Sequence, residues 1–312
     1  ERTCTRKKDV KGLGCGFEVK DRKKQMKRKI YTLWMLLYLG VLTLTAQEKN
    51  GKVNIWEGTD CHRIVEMTPY LAPGHNNVAV VVCPGGSYFW HDMEVEGKAV
   101  GEWLQKYGIS AFVLHYRTAG FWAYFTHYRY IFRGNRYPDA LNDLHQAMRY
   151  IKERSQRYGI NPDNLGAMGF SAGGHLVMSA GELLQPKERP AFIATIYPVV
   201  TMVDKCVHKR SRRALLGDRR KNNRQLRDSL SLELHVPDDC PPVFLVNCQD
   251  DPIVKYHNSE LLDSALMVHH VNHRYIQYKT GGHGFGATDY KGTAECRQWK
   301  DEFLVWLRGL TR

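Results

Sequence analysis

The sequence predicts an α/β protein with a mostly parallel, doubly wound sheet flanked by helices. Short apolar runs alternate along the chain with longer amphipathic runs, a pattern typical of parallel strands joined by crossover helices. The first of these runs is apolar at every position, as expected for a strand buried on both faces. Such a sheet places its site at the carboxyl ends of the strands. Six strands are predicted, at residues 78–83, 110–115, 164–170, 191–197, 242–248 and 272–278.

The amphipathic runs predict helices that cover the sheet, at residues 97–107, 138–158, 172–184, 258–268 and 293–310. In the second helix, apolar residues recur at helical spacing. They predict the face that packs on the sheet, which contains Leu141, Leu144, Ala147, Met148 and Ile151.

Two segments interrupt the alternation of strands and helices. Residues 118–137 are rich in aromatic and basic side chains, and residues 204–232 are polar and basic. Both follow predicted strands, so we expect both to lie over the site face of the sheet. The aromatic side chains of the first segment are able to stack on sugar or phenolic rings or to pack among themselves, and the sequence leaves both interpretations open.

The positive charge of the chain is concentrated at its N-terminus. The formal net charge is +13, and residues 1–29 contain twelve Lys and Arg against four acidic residues. The remainder therefore carries only about +5, which is modest for a domain of this size. Nucleic-acid binding needs a basic face on the folded domain. We therefore expect no nucleic-acid partner.

Residues 26–46 have the pattern of a cleaved signal peptide. A basic start at residues 26–29 is followed by the apolar residues 30–44 and a small residue at a cleavage position. The apolar run is shorter than the roughly 20 residues that span a bilayer. We expect a secreted or periplasmic protein without a stable membrane anchor, with a single catalytic domain at residues 47–312. Residues 1–25 are interpreted as an upstream extension outside the mature protein.

Six cysteines lie in the predicted mature domain, and they leave the disulfide pairing open. Cys83 and Cys248 fall in apolar strands and are predicted to be buried thiols. Cys206 and Cys240 flank a polar stretch, and a bridge between them is one hypothesis for an exported protein. The chain contains no CxxC or HExxH motif. We therefore expect no metal and no organic cofactor.

A G-F-S-A-G sequence at residues 169–173 lies between a predicted strand and a predicted helix. This strand–turn–helix context is that of a nucleophile elbow, in which small residues allow a tight, strained turn. The turn places Ser171 beneath the N-terminus of the helix, where free N–H groups favour developing negative charge. The motif predicts Ser171 as the nucleophile, and a Gly/Ser turn without chemistry is the alternative.

A second glycine-containing loop, P-G-G-S at residues 84–87, directly follows the first buried strand. Loops in this position bring backbone N–H groups close to a reacting carbonyl oxygen. We predict an oxyanion hole formed by the N–H group of Ala172 with that of Gly86 or Ser87. An ordinary turn is the alternative interpretation of this loop.

Two adjacent carboxylates, Asp250 and Asp251, follow the strand at residues 242–248. A carboxylate at the end of a late strand can orient an imidazole and stabilise its cation. Asp251 is favoured, because its spacing to Val254 and Ser259 is typical of the acid in hydrolases with this arrangement. Asp250 would then order the loop.

His283 lies in a glycine-rich loop, G-G-H-G-F-G at residues 281–286, after the last strand. A histidine on a closely approachable loop suits proton transfer, and it is predicted to be the base. The order nucleophile, acid, base along the chain is that of α/β-hydrolases. Other histidines, including His269, His270 and His273, fit surface or helix-end positions better.

The chain resembles a family of microbial carbohydrate esterases, in part lipase-like, that includes acetyl xylan esterases and bifunctional acetylxylan/feruloyl esterases. The likeness extends over most of residues 53–310. Ser87 stands where the family usually has a third glycine, and the segment 118–137 varies among such proteins. The matching stretches are residues 84–88, 96–97, 114–117, 137–138 with Asp143, 169–176, 197–198, 215–217, 241–242, 250–251 and 281–286.

The resemblance implies an α/β-hydrolase fold and a cofactor-free serine esterase that works through an acyl-enzyme. It implies a substrate that is an acylated carbohydrate, such as xylan carrying acetyl or feruloyl groups, or a small ester. A small serine aminopeptidase and a non-catalytic binding protein on a hydrolase scaffold are the alternatives. The oligomeric state does not follow from the sequence.

Overall fold

The chain divides into two units, residues 1–50 and residues 51–312. The computed structural model describes the second unit almost entirely. The predicted signal peptide and upstream extension lie outside the described residues apart from Tyr31. No helix in the described part of the chain is long and apolar enough to cross a membrane. The described residues are 31, 51–74, 77–125 and 134–310.

The second unit is built on an eight-stranded sheet. Its strand order is β1-β2-β4-β3-β5-β6-β7-β8, with β1–β2 and β2–β4 antiparallel and the other neighbours parallel. The six predicted strands are confirmed as β3 to β8. The strands are β1 (Val53–Asn54), β2 (Glu66–Tyr70), β3 (Ala79–Cys83), β4 (Ser110–Leu114), β5 (Leu165–Phe170), β6 (Ile193–Ile196), β7 (Val243–Cys248) and β8 (His273–Tyr278).

The register of the sheet brings the predicted site loops side by side. Cys83 pairs with Gly169, so the loop after β3 and the turn after β5 leave the sheet at the same level. Cys248 pairs with Tyr278, which places the loop after β7 beside the loop after β8. Parallel pairing therefore aligns all four loops along one edge of the sheet.

Nine α-helices are described: six of them correspond to the five predicted runs, and three short ones lie in the segments 118–137 and 204–232. The helix predicted from residue 97 begins earlier, with a π-helical turn at Met93–Lys98. The long predicted helix breaks at Arg154, whose φ of −113° is not helical. The helices are α1 (Ala99–Lys106), α2 (Phe121–Phe125), α3 (Asp139–Glu153), α4 (Ser155–Tyr158), α5 (Ala172–Leu183), α6 (Lys209–Leu216), α7 (Arg224–Asp228), α8 (His257–Val268) and α9 (Trp299–Leu310).

Apolar side chains from helices cover both faces of the sheet. The predicted sheet-facing residues of α3 are all buried and belong to one core cluster, together with Val81 of β3. Val80 belongs to the cluster on the opposite face, where Trp103 of α1 meets Trp299 of α9 with ring centroids 5.1 Å apart. Because neighbouring strand residues point to opposite faces, this two-sided core explains why β3 is apolar throughout.

Candidate active site

The turn between β5 and α5 presents Ser171 at the carboxyl end of the sheet. Ser171 has φ +52° and ψ −115°, a conformation that residues with a side chain rarely adopt and that marks a strained turn. Its N–H donates to the carbonyl oxygen of Ile196 at 3.0 Å, and its own carbonyl oxygen accepts from Val199 N–H at 3.1 Å. These bonds fix the turn to β6 and the loop that follows it.

The structure brings Ser171, His283 and Asp251 together. His283 Nε2 lies 2.9 Å from Ser171 Oγ, and Nδ1 lies 2.6 Å from Asp251 Oδ2. The Asp251 side chain is only 1% exposed, and its other oxygen accepts the N–H groups of Ile253 and Val254 at 2.8 and 2.9 Å. The carboxylate is thus fixed in place, so the imidazole carries its proton on Nδ1 and leaves Nε2 free to accept one from the hydroxyl.

Asp250 does not contact the imidazole. Its two oxygens accept the N–H groups of Gly281 and Gly282, at 3.2 and 2.8 Å. Both glycines have a positive φ, so this loop is free to fold back on the carboxylate. Of the two adjacent carboxylates, Asp251 orients His283, and Asp250 holds the backbone of the loop on which His283 lies.

The loop after β3 passes directly beside Ser171. A Cβ added to Gly85 would lie 2.8 Å from Ser171 Cβ. The N–H of Gly85 is occupied, since it donates to Glu96 Oε2 at 2.6 Å. Among the described residues, the N–H groups of Gly86, Ser87 and Ala172 have no hydrogen-bond partner. The three predicted oxyanion donors are therefore available, and their role remains a prediction.

Glu96 and Tyr197 are buried groups at the site to which the sequence motifs assign no role. Glu96 Oε1 accepts the Tyr197 hydroxyl at 2.8 Å, and the tyrosine oxygen accepts Gly286 N–H at 3.1 Å. The Tyr197 ring lies against the His283 ring, with centroids 4.6 Å apart. Burial raises the pKa of Glu96 above its usual value, and the nearby His283 and the hydrogen bonds from Tyr197 and Gly85 offset part of this rise.

Two further histidines near the site are held neutral. Burial, and after it the neighbouring His283 and Arg210, lower the pKa of His208 to about 4. Burial lowers the pKa of His175 to about 4 as well. His175 Nε2–H donates to the carbonyl oxygen of Leu230, and Nδ1 accepts the Tyr88 hydroxyl, both at 2.9 Å. His175 thus ties α5 to the loop after β3.

The short helix α2 packs against the loop after β3 and carries exposed aromatic side chains. Tyr124 of α2 packs edge-on against Phe89 and Trp90, with ring centroids 5.4 and 5.2 Å apart. On the same short helix, Phe121 is 57% exposed and Phe125 60%. The part of the segment at residues 126–133 lies outside the described residues. We call Phe121 and Phe125 the aromatic patch.

The remaining histidine candidates have positions and partners of their own. His269 pairs with Asp238 and His273 with Asp263, at 2.8 and 3.0 Å, and His270 follows a helix end. No group of three metal-ligating side chains occurs among the described residues.

The disulfide hypothesis for Cys206 and Cys240 is wrong, because both are free thiols. The backbone of Cys206 is held by Asp204 and Asn258. Cys240 lies instead in the turn that begins at Pro237.

The fold and the site define an α/β-hydrolase of the esterase class. The chain is 28% identical over 263 residues to an acetylxylan esterase of Xylanibacter ruminicola, covering 84% of this chain and 51% of that protein. It is 28% identical over 261 residues to the endo-1,4-beta-xylanase B of Butyrivibrio fibrisolvens, covering 77% of this chain and 38% of that protein. The chain belongs to the BD-FAE family, whose model matches residues 72–266.

Solved structures agree with this assignment. The acetyl ester-xyloside bifunctional hydrolase from Caldicellulosiruptor lactoaceticus superposes with a TM-score of 0.72 at 28% identity, over 83% of this chain and 96% of that one. The carboxylesterase Cest-2923 from Lactobacillus plantarum gives 0.64 at 20% identity, over 83% and 96%, which is a likeness of fold alone. The predicted family resemblance and fold class are confirmed. The chain spans about half the length, or less, of the curated relatives that it matches.

Proposed function

We propose that this chain is a serine esterase that removes acetyl or feruloyl groups from plant cell-wall polysaccharide such as xylan. The observation that carries the proposal is the position of His283, whose ring nitrogens lie 2.9 Å from Ser171 Oγ and 2.6 Å from Asp251 Oδ2. The relatives support the substrate class, since one is an acetylxylan esterase and another an acetyl ester-xyloside hydrolase.

The proposed reaction is a two-step acyl transfer. His283 Nε2 takes the hydroxyl proton as Ser171 Oγ attacks the ester carbonyl carbon. The N–H groups of Ala172 and of Gly86 or Ser87 stabilise the negative oxygen of the tetrahedral intermediate. The alcohol leaves with the proton from His283, and water then hydrolyses the acyl-enzyme by the same proton transfers. Asp251 holds the ring in the required tautomer throughout.

Two features support a polymeric substrate outside the cytoplasm. The aromatic patch adjoins the loop after β3, where sugar rings next to an acylated sugar would lie. The signal pattern of residues 26–46 supports export to the periplasm or beyond.

The test is a substrate panel run on the protein and on Ser171→Ala. The panel contains p-nitrophenyl acetate, acetylated xylan, methyl ferulate and an aminoacyl nitroanilide, the last to detect peptidase activity. We expect release of acetate from xylan, and a loss of roughly 10⁴-fold or more in kcat for Ser171→Ala. Ser264→Ala is the matched control, because Ser264 is exposed on α8 and its hydroxyl donates to the carbonyl oxygen of Glu260 in the same helix.

Near-wild-type turnover in folded Ser171→Ala would refute the serine mechanism. Serine-dependent hydrolysis of p-nitrophenyl acetate and of no other substrate in the panel would support an esterase but contradict xylan as its substrate. Cleavage of the nitroanilide and not of the esters would show that the protein is an aminopeptidase and not an esterase.

A further inference from the structure

A buried carboxyl group connects the two loops that flank Ser171. The Glu96 side chain is 3% exposed, and each of its oxygens accepts one hydrogen bond. Oε2 accepts the N–H of Gly85, in the loop after β3, at 2.6 Å. Oε1 accepts the Tyr197 hydroxyl at 2.8 Å, and the tyrosine oxygen accepts Gly286 N–H at 3.1 Å. One chain of hydrogen bonds therefore runs from the predicted oxyanion loop to the loop of His283.

The directions of the hydrogen bonds in this network favour the ionised form of Glu96. An N–H group can only donate, so the Tyr197 oxygen accepts from Gly286 and directs its own proton to Glu96. Both carboxyl oxygens then act as acceptors, which leaves neither of them to carry a proton. Burial raises the pKa of Glu96, and the hydrogen bonds and the charge of His283 act against that effect. The network thus suits a carboxylate with its charge close to the imidazole.

Tyr197 is held in an unusual conformation at the end of β6. Its φ is +39°, in the region that disfavours residues with a side chain, and its N–H donates to the carbonyl oxygen of Val246 at 2.6 Å. This conformation allows the ring to lie 4.6 Å from the rings of both His283 and Phe285. Strained backbone of this kind often accompanies a functional requirement at the site.

We propose that Glu96 and Tyr197 are positioning residues for the proposed esterase reaction. Tyr197 sets the plane of the His283 ring and couples its loop to the oxyanion loop. Glu96 anchors both loops and adds a second negative charge, besides that of Asp251, which stabilises the imidazolium formed when Ser171 loses its proton. Both side chains are buried, and their polar atoms bond to each other and to the backbone of the two loops, so each acts through His283 and its loop.

The charge of Glu96 has a consequence for the pH dependence of the reaction. The ionisable groups that face Glu96 are His283, Tyr197, Tyr116 and Asp92. The ionisable groups that act on the His283 ring also include Asp251. His208 lies near the ring as well and is held neutral. Removing the negative charge of Glu96 makes protonation of the ring less favourable. The acidic limb of the pH profile of kcat/KM should therefore move to lower pH.

The experiment compares Glu96→Gln, Tyr197→Phe and Glu94→Gln with the wild-type protein on p-nitrophenyl acetate. Folding of each variant is checked by near-ultraviolet circular dichroism. Glu94 is the control, because it is exposed on the same π-helical turn. We expect Glu96→Gln to lower kcat about tenfold or more with a smaller change in KM, and to move the acidic limb down by about half a pH unit or more.

Tyr197→Phe separates geometry from charge. It removes one hydroxyl and keeps the charge of Glu96, so kcat should fall while the acidic limb moves less than in Glu96→Gln. Glu94→Gln should behave as wild type. If Glu96→Gln does not fold, Tyr197→Phe decides whether the network positions His283.

Wild-type kcat and an unmoved acidic limb in folded Glu96→Gln would overturn the proposal, as would wild-type kcat in Tyr197→Phe. A fall in kcat of Glu96→Gln with no movement of the limb would overturn the role of its charge. Equal hydrolysis by wild type and Ser171→Ala is a different result, since it removes the proposed function itself.

Discussion

Gly169 and Gly173 face each other across the turn that carries Ser171, and neither position has room for a Cβ. A Cβ on Gly169 would overlap the carbonyl oxygen of Gly173, and one on Gly173 would overlap the carbonyl oxygen of Cys83. The obstacles are backbone atoms of the turn and of β3, so no rotamer change relieves the overlap. These contacts explain why the two outer positions of the motif are glycine.

Gly173→Ala should therefore lower both stability and activity. Its Cβ would meet Cys83 and also lie 2.8 Å from the Pro84 carbonyl oxygen, at the start of the predicted oxyanion loop. We expect the free energy of unfolding to fall by about 1–3 kcal/mol in urea titrations. Gly309→Ala, in α9 with no atom of the described residues within 4 Å of the added Cβ, should be stabilising by up to about 1 kcal/mol. Equal effects at the two positions would show that the packing argument is wrong.

The two adjacent carboxylates should respond differently to amidation. Asp251→Asn leaves the shape of the side chain but removes the charge that faces His283 Nδ1, so kcat should fall by roughly 10⁴-fold. Asp250→Asn retains one acceptor for the two glycine N–H groups of the His283 loop, and the loss should be closer to tenfold. Steady-state kinetics and the rate of labelling by a serine-directed phosphonate measure both effects. A larger loss for Asp250→Asn than for Asp251→Asn would show that Asp250, and not Asp251, orients His283.

The fold was largely predictable because its central strands are buried on both faces. β3, β5 and β7 are buried throughout and stand out as apolar runs between helices. The sequence did not predict β1 and β2, since β1 has two residues and β2 contains Pro69 and only one buried position. Short strands beyond the parallel core carry little of the apolar signal that identifies a strand.

Part of the site was predictable from local sequence, and the rest depends on contacts between residues that are far apart in the chain. Ser171 and His283 lie in short glycine-containing motifs, so the sequence around each of them indicates a role. Glu96 and Tyr197 are separated by 101 residues and meet only because β3, β5 and β6 are neighbours in the sheet. Neither lies in a motif that predicts chemistry, and only the three-dimensional arrangement reveals their contact with the His283 loop.

The aromatic patch should matter for a polymer and not for a small ester. The double variant Phe121→Ala/Phe125→Ala removes two exposed rings of α2, the helix that packs through Tyr124 against the loop after β3. A stacked ring contributes about 0.5–1.5 kcal/mol, so the loss of both rings should lower kcat/KM on acetylated xylan by roughly 5- to 150-fold. Hydrolysis of p-nitrophenyl acetate should stay within about twofold, because that substrate reaches only the triad.

Tyr290→Ala is the control for the patch, as Tyr290 is 75% exposed and lies in the segment after the His283 loop. It should leave both rates unchanged. A parallel loss on xylan and on the small ester would indicate damage to the site and contradict a sugar-binding role for the patch.

Acid sensitivity should depend on His91, which is held neutral inside the fold. Its ring packs edge-on against those of His115 and Tyr116, with centroids 4.5 and 4.4 Å away, and its buried Nε2 has no hydrogen-bond partner among the described residues. Burial, and after it the charge of His115, lower the pKa of His91 from 6.5 to about 3. Between these pH values the unfolded chain binds a proton that the folded chain does not.

Stability contributed by neutral His91 is therefore present above pH 6.5 and is lost as the pH falls towards 3. His91→Phe keeps a ring of similar size and removes the proton-binding group. The free energy of unfolding of the variant should fall less than that of wild type between pH 7 and pH 4.5, by roughly 2 kcal/mol. Urea titrations at the two pH values, with exposed His62→Phe as control, measure this difference. If His91→Phe and His62→Phe lose stability in parallel, proton uptake by His91 does not drive the acid response.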